Sequence, residues 1–314
     1  MKLGFFTAIL PDLSFEQVLD FAAQERFSCL EVACWPAGKA ERKFAGVSHL
    51  DVAGLTPGRA DDLNASWARR GLGISALGYY PNPLDPDPAV SRKAVAHLKQ
   101  VILAAEKLGL KNVNTFIGRD WTKTVDENWP RFLATWKPLI AFAEDHGIRI
   151  GIENCPMSFT RDEWPGGKNL ASTPVIWRRM FADLPSRNFG LNYDPSHFVL
   201  QQMDPLSPLR EFKARLFHLH AKDMTVQSDR LNEVGVFAFP NEWHRPRIPG
   251  FGSIDWAAFM AALYEIGYAG PVCVEVEDDT FGQTLRGRKQ ALVVARNVLA
   301  PFFAPETNRA TAEQ

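Results

Sequence analysis

Four side chains able to hold a metal ion stand near the ends of four consecutive apolar runs in the second half of the chain. Glu153 lies in RIGIEN (149–154), Asp194 in FGLNYD (189–194), His220 in LFHLHA (216–221) and Glu275 in VCVEVE (272–277). Brought together, three carboxylates repel unless protonated or neutralised, and a divalent cation is the usual neutraliser. One imidazole with three carboxylates is a mixed N/O donor set that suits Mn²⁺, Mg²⁺, Co²⁺ or Zn²⁺, and no thiolate joins it to favour zinc strongly. Any one of these acids alone reads equally well as a solvated strand end; four at matching positions on successive runs do not.

The elements that must position them follow a single pattern. Short apolar or β-branched runs alternate with longer amphipathic stretches eight times, the earlier runs being KLGFFTA (2–8), CLEVAC (29–34), ISALGYY (74–80) and NVNTFIG (112–118). SFEQVLDFAAQE (14–25) shows the helical period and opens on Ser14, a good N-cap. Strand and helix repeated eight times predict an α/β fold, a (β/α)₈ TIM barrel, as one catalytic domain over residues 1–300 with a solvated tail at 301–314. An open doubly wound sheet is the alternative, but no GxGxxG turn follows the first strand. Long connections at 35–55, 155–172 and 224–252 all follow strands, which places the extra material at the C-terminal face where barrels build their sites. Residues two positions before each ligand must also point inward; these are Gly151, Asn192, His218 and Cys273, small or polar groups that leave His218 as a partner for a ligand.

Composition excludes several function classes. The 314 residues are 46% hydrophobic with a formal charge of −1, enough for a large core and without a Lys/Arg run to hold a nucleic acid. The opening MKLGFFTAIL is apolar over too short a distance for a signal peptide or membrane span, so a cytoplasmic location without membrane association is expected. Four cysteines with no CxxC pair point to reduced thiols.

The stretches IGIEN (150–154), LNYDPSH (191–197), HLHAKD (218–223), RIPGFGSIDW (247–256) and VEVEDD (274–279) resemble the xylose isomerase-like TIM-barrel superfamily, in the branch of sugar phosphate isomerases and epimerases. The resemblance implies one divalent ion, Mn²⁺ foremost, held by Glu153, Asp194, His220 and Glu275, with Glu153 and Glu275 doubling as acid and base. It also implies that His197, three residues after Asp194, binds substrate. The 224–252 insert and the EVED ending depart from the ketose epimerases and resemble bacterial proteins acting on oxidised sugars such as 3-keto-glycosides. The three-zinc apurinic endonucleases of the superfamily need histidines on early strands that LGYYPN (77–82) and NTFIGRD (114–120) lack, so that reading is set aside.

The expected function is a metal-dependent isomerase or epimerase of a keto-sugar or keto-glycoside, acting through an enediolate. The alternatives are a lyase, dehydratase or deglycosidase, that expels water or an aglycone from the same intermediate, and a non-catalytic sugar-binding or oligomer-forming barrel. A small-molecule sugar is the expected partner, and the sequence leaves a homo-oligomer open. Weaker candidates complete the substrate site: Arg247 could reach a substrate oxygen or be solvated, and Lys222 and Asp223 could line the mouth or form an internal ion pair. Trp35 and Tyr80 could wall a sugar ring or pack in the core. His49, His97 and His146 read as surface residues, and the PGGK turn (165–168) is a weak ligand signal.

Overall fold

The computed structural model describes residues 1–36, 46–157 and 167–303. Among the described residues run ten strands: β1 Lys2–Phe6, β2 Cys29–Ala33, β3 Gly73–Gly78, β4 Asn112–Thr115, β5 Arg149–Glu153, β6 Phe189–Tyr193, β7 Leu216–Ala221, β8 Asp223–Val226, β9 His244–Arg247 and β10 Pro271–Val274. Eight of them close a barrel in the order β1-β10-β7-β6-β5-β4-β3-β2, every pairing parallel. All eight predicted runs supply a barrel strand, and the (β/α)₈ expectation holds.

The helices between them begin where the sequence satisfies their first free N–H groups. Ser14 and Gln17 form a reciprocal capping box at Phe15–Gln24, and Thr124 and Glu127 form another at Val125–Asp145. Removing such a cap costs roughly 1 kcal/mol. Because helices cover the barrel outside and side chains fill it inside, β2, β4, β6 and β7 are buried along their whole length.

The 224–252 connection is more ordered than a long loop. β8 and β9 pair antiparallel, Asp223 opposite Arg247 and Met224 opposite Pro246, with a helix at Ser228–Val234 between them. Strands of four residues, one containing a proline, leave too weak a period-2 signal to be read from sequence. Of the predicted tail, residues 301–303 complete a turn after the helix Leu285–Leu299, with Phe302 and Phe303 packed on the core. The rest of the tail, like Pro165 and Gly166 of the PGGK turn, lies outside the described residues. All four cysteines are free thiols. No helix among the described residues is long and apolar enough to cross a membrane.

Candidate metal centre

Four neighbouring strands in the barrel order, β5, β6, β7 and β10, carry the four expected ligands to the C-terminal mouth. Glu153 ends β5, Asp194 follows β6, His220 lies in β7 and Glu275 follows β10. One donor atom from each lies within 4.8 Å of the others. His220 Nδ1 is the common neighbour, 3.7 Å from Glu153 Oε1 and 3.6 Å from Glu275 Oε2. The residues two positions earlier do point inward: a Cβ on Gly151 would sit 2.5 Å from Asn114 Oδ1, while Asn192 and His218 are fully buried and bonded to each other.

Local sequence fixes these side chains. Asn154, beside Glu153, clamps the backbone of Asp194 from both sides, accepting from its N–H at 2.7 Å and donating to its carbonyl at 2.8 Å. Asp194 Oδ1 then accepts from Ser196 N at 2.8 Å. The remaining oxygen, Asp194 Oδ2, lies 3.2 Å from both His197 Nε2 and Lys222 Nζ, whereas His220 Nδ1 is buried without a hydrogen-bond partner. A buried polar atom left in that state costs about 1–3 kcal/mol. That nitrogen, converging with three carboxylates, is what a divalent cation would satisfy, so these residues fit the ion.

Lys222 sets a buried ammonium among the carboxylates. Its Nζ lies 2.6 Å from Glu275 Oε2 and 3.2 Å from both Asp194 Oδ2 and Glu277 Oε2. Burial opposes its charge, but Asp194, Glu275 and Glu277 together hold its pKa well above the ordinary lysine value. The two glutamates are driven apart. Burial pushes Glu275 up to about 7, with Lys222 opposing and Glu153 adding to the rise. Burial also works against Glu153, yet the hydrogen bond to His197 and the neighbouring His220 and Lys222 hold it down at about 2.

Above this floor opens a cavity of about 660 Å³. Phe6, Trp35, Tyr80 and Phe116 form one wall, with Tyr80 and Phe116 ring centres 5.0 Å apart and Phe6 and Trp35 6.0 Å apart. Pro240, Asn241, His244, Arg245 and Pro246, all from the β8–β9 insert, also line it.

The weaker sequence candidates divide. Trp35 lines the cavity, and His197 faces it with Nε2 3.2 Å from both Glu153 Oε1 and Asp194 Oδ2. Asp223 does not line it: its fully buried carboxylate accepts from Met224 N, Ile254 N, Gly250 N and Trp256 Nε1, which ties the insert to the barrel and uses every acceptor position. Arg247 is also turned away, with Nη1 on Thr280 Oγ1 at 3.1 Å and near Asp278 Oδ1 at 3.4 Å; Arg245 takes the cavity-lining position. His49, His97 and His146 are half-buried rather than solvated, each held by a hydrogen bond to Thr7, Cys34 or Glu106 respectively.

Sequence reasoning missed Glu31. It lies in the middle of β2, fully buried, with Oε2 2.6 Å from His220 Nε2. The Tyr80 hydroxyl donates to its other oxygen. The available signal was a lone acid inside the apolar run CLEVAC, on the inward face that Cys29 and Ala33 share. Glu277 was missed as well, although it stands two residues beyond Glu275 and therefore on the same face.

Residues 19–299 match the family described as xylose isomerase-like TIM barrel. An inosose dehydratase of Lacticaseibacillus casei is 31% identical over 291 residues, 85% of this chain and 84% of that protein. An L-ribulose 3-epimerase of Methylomonas sp. (strain DH-1) is 24% identical over 258 residues, covering 77% and 79% respectively. Among solved structures, the IOLI protein with a bound zinc atom superposes with a TM-score of 0.71 at 18% identity, covering 97% of this chain and 100% of that one.

Proposed function

This chain belongs to the xylose isomerase-like TIM barrel family, and on that premise we propose that it is a divalent-metal-dependent isomerase or epimerase of a keto-sugar or keto-glycoside. The observation that carries the reading is the convergence of donor atoms of Glu153, Asp194, His220 and Glu275 within 4.8 Å of one another, with Glu153 and Glu275 lining one cavity and His220 Nδ1 buried and unpartnered behind them. An ion held by these four residues, Mn²⁺ foremost, would supply Lewis-acid stabilisation of negative charge developing on a substrate carbonyl oxygen.

The chain's own residues do the rest. Glu153 Oε1 and Glu275 Oε2 lie 3.7 and 3.6 Å from His220 Nδ1, and in this reading the substrate carbon binds over the site with one carboxyl group toward each of its faces. One removes the proton beside the carbonyl to give an enediolate, and the other returns a proton to the opposite face. Positioned acid–base catalysis of this kind contributes about 10²–10⁴-fold. His197, anchored between Glu153 and Asp194, binds a substrate oxygen, and Trp35 with Tyr80 supplies a flat apolar wall for the ring.

A second reading is supported by the 31% identity to an inosose dehydratase: the same enediolate expels a β-substituent, and the enzyme is a lyase. One experiment separates the two. Mn²⁺-loaded protein is incubated in D₂O with ketohexoses and with 3-keto-glycosides, and followed by ¹H NMR and mass spectrometry. Deuterium uptake next to the carbonyl with an intact carbon skeleton supports the isomerase; release of water or aglycone supports the lyase. Absence of both exchange and release over the panel would count against keto-sugar chemistry altogether.

A further inference from the structure

A carboxylate sealed inside a barrel must be held by strong partners, because an unpaired buried charge is among the costliest features a fold can carry. Glu31 is such a group, and its surroundings are built around it. Gly78 makes room, since a Cβ there would fall 2.6 Å from Glu31 Oε1. Tyr80 donates to Oε1, Asn192 Nδ2 donates to the Tyr80 oxygen at 3.0 Å, and Asn192 Oδ1 accepts from His218 Nδ1 at 2.9 Å. Ser75 Oγ closes the chain at 3.0 Å from His218 Nε2. Glu31, His218 and His220 also lie close enough to form a second three-ligand group. Both ring nitrogens of His218 are already engaged, however, so the group is a hydrogen-bond network and not a second ion site.

What the network delivers is the remaining oxygen of Glu31, 2.6 Å from His220 Nε2. A carboxylate at that distance calls for the hydrogen to be on Nε2, so in the neutral ring that a metal ligand must be, the lone pair is on Nδ1. Nδ1 is the nitrogen that faces Glu153 and Glu275 and has no hydrogen-bond partner of its own. Phe6 lies nearly parallel to the imidazole, ring centres 5.9 Å apart and planes 23° apart, and limits its rotation.

We infer that Glu31 is the positioning residue of the metal centre: it holds His220 in the Nε2-protonated tautomer with Nδ1 aimed at the ion, and Tyr80 in turn holds Glu31. The inference rests on the metal reading above. A carboxylate behind a ligand histidine fixes its ring and raises its basicity, and losing one typically weakens metal binding 10–100-fold.

The test is a zinc titration against a competing fluorescent chelator, run on the native protein and on Glu31→Gln and Tyr80→Phe. Alongside it, long-range ¹H–¹⁵N spectra are recorded on the zinc-loaded, ¹⁵N-histidine-labelled protein. The expected result is about one equivalent of zinc in the native chain with the His220 proton on Nε2. Glu31→Gln keeps the shape and removes the charge, and should bind zinc 10–100-fold more weakly at the same stoichiometry; Tyr80→Phe should lose less. If Glu31→Gln does not fold, Glu31→Asp retains the charge but withdraws it by one methylene, and a comparable loss is expected. A native protein that takes up no zinc overturns the metal reading and this inference together. Native uptake with Glu31→Gln binding within twofold, or a His220 proton on Nδ1, overturns this inference alone.

Discussion

The two halves of the barrel mouth are built from different chemistry at equivalent positions. At or just past their C-terminal ends, β5, β6, β7 and β10 present Glu153, Asp194, His220 and Glu275, whereas β1 to β4 present Phe6, Trp35, Tyr80 and Phe116. One half concentrates charge, and the other supplies a rigid apolar wall. The difference teaches how one depends on the other: a wall that excludes water lowers the local dielectric, so every charged contact across the mouth is stronger than it would be in an open cleft. Glu31 is the exception in the aromatic half, and its carboxylate points across the barrel to His220.

If the charged half does the chemistry, its acids carry the largest effect. Glu153→Gln and Glu275→Gln should each lower turnover by about 10²–10⁴-fold while far-UV circular dichroism keeps the native fold. Full activity in either variant would break the division of labour outright. Next in size is Lys222→Met, which leaves Asp194, Glu275 and Glu277 without their buried cation. The metal-free protein should lose about 3–5 kcal/mol in urea unfolding, and added Mn²⁺ should stabilise the variant more than the native chain, since the ion replaces the missing charge. Equal stabilisation of both by Mn²⁺ would show that Lys222 and the ion do not answer to the same carboxylates.

The aromatic half should respond in a different quantity. Trp35→Ala is expected to raise KM roughly 3- to 10-fold with metal content unchanged, because it removes wall and not donors. Loss of metal from that variant would erase the contrast between the halves. The smallest effect belongs to Arg247→Ala: its partly exposed contact with Asp278 is worth under about 1 kcal/mol, and kcat/KM should stay within about twofold because the side chain is turned away from the cavity.

The charged half was also the more legible one. Each ligand stands near the end of an apolar run, where an acid or imidazole breaks the pattern, and eight such runs leave few folds to choose from. Aromatic residues at strand ends break no pattern, because rings are common both in cores and in walls; Trp35 and Tyr80 therefore stayed ambiguous and Phe6 and Phe116 went unremarked. The same period-2 rule that found Gly151 and His218 extends forward from the ligands. Lys222, two beyond His220, shares its inward face, whereas Asp223 falls on the opposite one and binds backbone. Sequence alone gives no reason to prefer Arg245 to Arg247 at the cavity, since that choice depends on how the β9 strand lies over the mouth.

The seam between β1 and β10 gives the metal centre a place in time. During synthesis β5, β6 and β7 exist before β10, so Glu153, Asp194 and His220 are available while the fourth donor is not, and the sheet is open along both edges until β10 pairs with β1 and β7. Lys222, which precedes Glu275 in the chain, can neutralise Asp194 during that interval. A nascent or truncated chain lacking β10 thus carries an incomplete donor set beside a resident ammonium, and on the metal reading proposed above ion capture would be a late event that follows completion of the ring.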